Sequence, residues 1–117
     1  MSVHSYRDLV VWQKGMQVAR EVYGYTQLFP TSELYGLVSQ MRRAAVSIPS
    51  NIAEGFYRKT WKDRKQFFNI AYSSGAELET QITLAKDLFP KIAYNTAGTE
   101  NLLGEVMRML NTMTDRH

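Results

Sequence analysis

The sequence predicts an all-α fold: a single domain over residues 1–117, built as an antiparallel up-down four-helix bundle with a proline-kinked second helix. Three observations carry that prediction. Apolar residues recur at spacings of three and four through four separate segments, the pattern of amphipathic helices. Prolines and short polar stretches separate the segments, and short turns between helices favour antiparallel neighbours. No stretch combines strict alternation with the turn chemistry of a β-hairpin.

The first helix is expected over Asp8 to Gln27. Leu9, Trp12, Met16, Ala19 and Tyr23 form its apolar stripe, and Asp8 is a candidate N-cap. Leu28-Phe29-Pro30 ends it, because the residue before proline disfavours the α region. The second helix starts at Thr31 or Ser32. Leu34, Leu37, Val38, Met41, Ala45, Ile48 and Ile52 keep helical spacing through Pro49, which predicts one kinked helix ending near Gly55. The rival reading breaks the chain at Pro49 and restarts it under caps from Asn51 and Glu54. The third helix opens at Thr60, with Asp63 three residues on as a weak capping-box variant. Phe67, Ala71, Ser74, Leu78, Ile82, Ala85 and Phe89 form its heptad-like seam, up to a second Leu-Phe-Pro at Pro90. The fourth helix is expected from about Tyr94 to Thr114, with a stripe of Thr99, Leu103, Val106, Leu110 and Met113. Small residues at Ala44, Ala45 and Ser47, and again at Ser73 to Ala76, would let two helices approach closely.

Composition removes several classes of function. The chain has 117 residues, 44% hydrophobic and 21% charged, which suits one compact domain. With no cysteine there is no disulfide, thiolate zinc site, iron–sulfur cluster or cysteine nucleophile. His4 and His117 sit at opposite ends, so no histidine metal site or catalytic triad is expected. No apolar run reaches the ~18 residues that a membrane span needs. The N-terminus lacks a basic-then-apolar signal region, and the expected location is cytoplasmic.

The net charge of +3 is unevenly distributed. Residues 41–65 carry Arg42, Arg43, Arg58, Lys59, Lys62, Arg64 and Lys65 against only Glu54 and Asp63. Half the basic residues thus fall in this window, and a local cluster attracts phosphate more than the net charge suggests. At Phe56–Lys65, aromatic and basic residues interleave at an expected helix–helix corner. Such mixtures bind single-stranded nucleic acid, with cations on phosphates and rings on bases. The plainer alternative has Phe56 and Trp61 plugging the bundle end and the cations solvated.

Enzymatic chemistry is not expected. There is no glycine-rich phosphate loop, no HExxH and no Glu-x-x-His pair. Glu77 and Glu79 lie two apart and point about 200° from one another on a helix. Arg43, Ser47, Asn51 and Glu54 share one helical face, which predicts a polar network with Arg43 paired to Glu54 or to Glu77 of the third helix. That network can fix the kink and register, hold an anion or nucleotide through Arg43 and Asn51, or serve a contact between copies. The methionines read as core filler.

The residues also resemble a known family. Asp8–Lys14 is similar to its opening motif, Phe29-Pro30, Glu33 and Gly36-Leu37 to its first turn and second-helix start, and Gln40–Gly55 followed by Arg58 to its most characteristic block. Phe67, Ala71, Ser74 and Glu77–Gln81 resemble its third helix. The family is that of the bacterial proteins encoded in 23S ribosomal RNA intervening sequences, the S23-type four-helix bundles, and the resemblance covers about residues 6–90. It implies a bundle assembling as a ring, a homopentamer. It also implies kinship with accessory proteins of diversity-generating retroelements, basic rings that bind nucleic acid and a reverse transcriptase. It carries over no catalytic residue.

The expected function is therefore that of a non-enzymatic, ring-forming bundle, without cofactor or metal, that binds RNA or other nucleic acid. Arg42, Arg58, Lys59, Lys62, Arg64 and Lys65 are expected on phosphates, with Tyr57 or Trp61 as stacking platform. A pentamer would carry about +15, enough to steer a polyanion. The alternative is an oligomeric protein–protein adaptor using the acidic region 66–117.

Overall fold

The computed structural model describes residues 3–92 and 95–115. Four α-helices and three short helical turns make up the regular structure of those residues, with no strand among them. The helices are α1 (Val10–Thr26), α2 (Ser39–Phe56), α3 (Trp61–Leu88) and α4 (Ala97–Met113). Each packs on its chain neighbours and α1 also packs on α4, which closes the bundle; the most extensive contact joins α2 to α3. At 28 residues α3 is about 42 Å long, and it sets the 44 Å long axis of the molecule.

The core lies where the four stripes meet. Met41, Ile48 and Ile52 of α2 are fully buried with Leu78 and Ile82 of α3 and with Leu103, Val106 and Leu110 of α4. The predicted seams of α3 and α4 face inward as expected, except that Phe67, Phe89 and Met113 are half-buried. On α1 the expected stripe is displaced by about one position. Val11, Val18 and Val22 face the core with Ala19, whereas Leu9, Trp12 and Met16 are half-buried and Tyr23 is exposed. This helix is apolar on two adjoining faces, and the inner one consists of small β-branched residues rather than the large rings.

Asp8 does not cap α1. It belongs to a 3-10 turn, Tyr6–Asp8, capped by Ser5, and its carboxylate accepts from the backbone N–H groups of His4 and Ser5. Leu9 precedes α1 without a side-chain cap. The second helix also begins later than expected. A 3-10 turn at Thr31–Glu33 leads into a π-helical turn, Leu34–Val38, in which Gly36 leaves helical geometry at φ −109° and ψ −111°. Glycine, lacking a Cβ, takes that conformation freely. From Ser39 the helix runs on through Pro49, as the one-helix reading requires. Pro49 is buried against α1 where Gly15 offers no side chain; a Cβ there would lie 3.7 Å from the proline ring. The expected start of α4 at Tyr94 lies outside the described residues, as does His117; α4 runs from Ala97.

Candidate nucleic-acid interface

α2 and α3 meet at a tight corner, Tyr57–Thr60. Thr60 caps α3, its hydroxyl accepting from the Asp63 N–H at 3.1 Å. Gly55 allows the approach that makes the corner: a Cβ on it would come within 2.7 Å of the Phe68 ring. Two of the predicted cations then hold the corner itself. The Arg64 Nε donates to the Arg58 carbonyl at 2.6 Å. The Arg58 guanidinium lies 4.4 Å from the centre of the Phe67 ring and pairs with Glu54 at 3.6 Å.

Lys59, Lys62 and Arg64 are exposed at this corner and Lys65 is half-buried. No described carboxylate lies within 4 Å of any of the four. Trp61, 49% exposed, stands among them. Tyr57 is 64% exposed, yet it packs edge-on against Phe56 and against Tyr6, which packs in turn on Trp12. This chain of rings ties the N-terminal turn to the end of α2. Trp61 takes part in no such chain, so of the two predicted platforms it has the freer face.

The remaining predicted residues fall elsewhere. Arg42 does not join the corner. Its Nε donates to the Thr26 hydroxyl at 3.0 Å and its guanidinium sits 4.6 Å from the centre of the Tyr23 ring, which bolts α2 to α1. Along α2 it lies about 21 Å from the corner. The expected pairing of Arg43 with Glu54 or Glu77 does not form: Arg43 is exposed, Glu54 bonds Arg58, and Glu77 is exposed on α3. Residues 43 and 54 share a face but stand about 16 Å apart along the axis, too far to touch. The middle of the network does form. Asn51 Nδ2 donates to the Ser47 carbonyl and hydroxyl at 2.8 and 2.9 Å, and the Ser47 and Ser74 hydroxyls are 2.8 Å apart across the α2–α3 contact.

Two open grooves flank that bond. One, of about 810 Å³, follows α3 past Lys62, Lys65, Gln66 and Ser73 to Glu77. The other, of about 710 Å³, follows α2 past Asn51, Arg43 and Arg42 to Tyr35 and Tyr23. Tyr35 is 93% exposed. It escaped the sequence reading, although its place off the Leu34–Leu37–Met41 stripe already pointed it outward. Among the described residues no cluster of His, Cys, Asp or Glu could hold a metal ion, and no helix is long and apolar enough to cross a membrane.

Comparison with known proteins agrees with this architecture. The sequence model of the 23S rRNA-intervening sequence protein family matches residues 7–112. A crystal structure of a protein of unknown function from the S23 ribosomal protein family of Bacteroides thetaiotaomicron is similar at a TM-score of 0.80. It shares 22% sequence identity over 90% of this chain and 98% of its own. No curated protein matches the sequence.

Proposed function

Since this chain belongs to the 23S rRNA-intervening sequence protein family, we propose that it is a non-enzymatic bundle that binds RNA or other nucleic acid through the α2–α3 corner. The observation behind this reading is the set of exposed cations, Lys59, Lys62 and Arg64, without a carboxylate partner and beside the exposed Trp61. Cations left unpaired in water can exchange counterions for phosphates, and an accessible indole can stack on a base. The N-terminus of α3 adds a partial positive charge at the same place. Arg58 and Arg64 shape the corner through the Arg58 carbonyl, and the outer nitrogens of Arg64 complete the phosphate-facing set. Assembly into a ring, a homopentamer, would repeat the corner around an axis and strengthen its attraction for a polyanion.

The test is a titration of a labelled structured RNA with the protein and with a Lys62→Ala/Arg64→Ala variant. The variant is expected to bind more weakly for every RNA tried, with a shallower dependence on salt. Unchanged affinity would reject the corner. Light scattering tests the ring independently.

A second reading, a protein adaptor, draws support from the other end of α3. There Leu84 and Leu88 are 46% and 56% exposed beside Glu79 and Asp87. It predicts a partner complex that survives nuclease and is lost on Leu84→Asp.

A further inference from the structure

The two grooves that flank the Ser47–Ser74 bond follow one another along the helix pair. Gly55 faces Phe67 and Phe68 while Ser47 bonds Ser74, so position rises along α3 as it falls along α2. Ser74 lines the first groove and Ser47 the second, so the grooves meet at that hydrogen bond. From Lys62 to Ser74 is about 18 Å along α3, and from Ser47 back to Ser39 about 12 Å along α2. The path is thus roughly 30 Å long, within the 44 Å length of the bundle.

The lining combines an apolar floor, Ile70 in one groove and Leu34, Val38 and Val46 in the other, with a basic border. Lys62, Lys65, Arg42 and Arg43 border the path, against Glu77 as the one carboxylate among the lining residues. Serine hydroxyls and the Gln66 amide supply neutral hydrogen-bonding groups between them. Exposed rings stand at the two ends, Trp61 at the corner and Tyr35 in the π-helical turn before α2. Tyr35 has no ring contact with another described aromatic residue. Duplexes hide their base faces, so rings presented this way suit unstacked bases.

We propose that a single strand of nucleic acid lies along the α2–α3 seam, held at Lys62 and Lys65 at one end and at Arg43 and Tyr35 at the other. This rests on the nucleic-acid reading of the corner and extends it to a length and a direction. At 3.4 Å per nucleotide, the spacing of a fully stacked strand, the path accommodates at most about nine nucleotides, and fewer where bases unstack onto the rings.

The test uses labelled oligo-uridylates and oligo-deoxythymidylates of about 4 to about 16 nucleotides, followed by fluorescence anisotropy at low salt. Affinity is expected to rise with length and level off at no more than about nine nucleotides. A Tyr35→Ala/Arg43→Ala variant should lose roughly tenfold on long strands and nothing on the shortest. Both side chains are exposed, and matching thermal melts would show the variant folded. The homopolymer that binds more tightly identifies the strand the seam takes. If this variant binds long strands like the parent while Lys62→Ala/Arg64→Ala does not, the seam is wrong and the corner stands. If Lys62→Ala/Arg64→Ala binds every strand like the parent, the corner itself fails. If Tyr35→Ala/Arg43→Ala changes only the oligomeric state, the Tyr35 face joins copies of the chain and the proposal is overturned.

Discussion

Replacing Gly55 with alanine should loosen the contact that positions the basic corner. A Cβ at that position would lie 2.7 and 3.0 Å from two atoms of the Phe68 ring and 3.1 Å from the Phe67 Cβ. Phe68 is buried, and a ring cannot fold out of the way as a flexible chain end can. Phe67 Cβ is fixed to the α3 backbone, so the helices must separate by a few tenths of an ångström. Overpacking of this kind costs about 1–3 kcal/mol. Alanine recovers up to about 1 kcal/mol through its better helix propensity. The net loss lies between about 0 and 3 kcal/mol; its middle value of about 1–2 kcal/mol corresponds to a fall of roughly 4–10 °C in melting temperature for a domain of this size. Gly24 in α1 supplies the control, since nothing lies within 4 Å of a Cβ placed there. Gly24→Ala should gain up to about 1 kcal/mol by the same propensity argument. The assay is thermal denaturation followed by circular dichroism on both variants. A Gly55→Ala protein that gained as much stability as Gly24→Ala would refute the packing argument at the α2–α3 corner.

Three further outcomes can be checked. Tyr25→Phe should leave stability unchanged or raise it by up to about 1 kcal/mol, because the buried hydroxyl has no hydrogen-bond partner among the described residues. Burial, and then the negative charge of Glu100, hold that phenol protonated well above the ordinary tyrosine range. Its contribution is therefore present below the unfolded pKa of about 10 and is lost as pH rises beyond it, a loss the Phe variant should not show. Arg42→Ala removes the bond to Thr26 and the stacking on Tyr23, and chemical denaturation should register a loss of about 1–2 kcal/mol. Trp61→Ala should weaken RNA binding roughly tenfold while leaving the slope against salt unchanged, since a ring releases no counterions.

The helices were legible where the three-and-four spacing runs long without a break. On α3 the residues Ala71, Ser74, Leu78, Ile82 and Ala85 keep that spacing and are all buried, although Phe68 is buried beside them and Ile70, Leu84 and Leu88 are apolar yet exposed. On α1 the stripe through Trp12 and Tyr23 adjoins a second one through Val11, Val18 and Val22, and periodicity alone does not rank two adjoining faces. Tertiary packing decided in favour of the smaller residues. The interruption at Gly36 was hidden for a related reason: Leu34, Leu37, Val38 and Met41 keep helical spacing across it, so the pattern reads straight through. The periodicity on both sides of Pro49 predicts one helix through it, and α2 does continue past it beside Gly15.

The polar residues divide along the same physical line. Ser47 and Asn51, one turn apart, were placed on a common face and do bond, with Ser74 completing the set across the helix pair. Arg43 and Glu54 share that face but are three turns apart, and helical phase carries no information about axial distance. Glu54 found its cation one turn further on, at Arg58. The basic window 41–65 looks continuous in the sequence, whereas in space it separates into the corner and the Arg42–Arg43 groove. What joins them is the α2–α3 seam, which no linear pattern displays.

The most direct test of the phosphate-reading corner is a salt series. A labelled structured RNA is titrated with the purified protein at several salt concentrations, with the oligomeric state fixed beforehand by light scattering. The account predicts that log affinity falls linearly with log salt and that each of Lys59, Lys62 and Lys65, changed to alanine, lowers the slope by about 0.7–0.9. Absence of binding at low salt, or a slope indifferent to all three lysines, would contradict it.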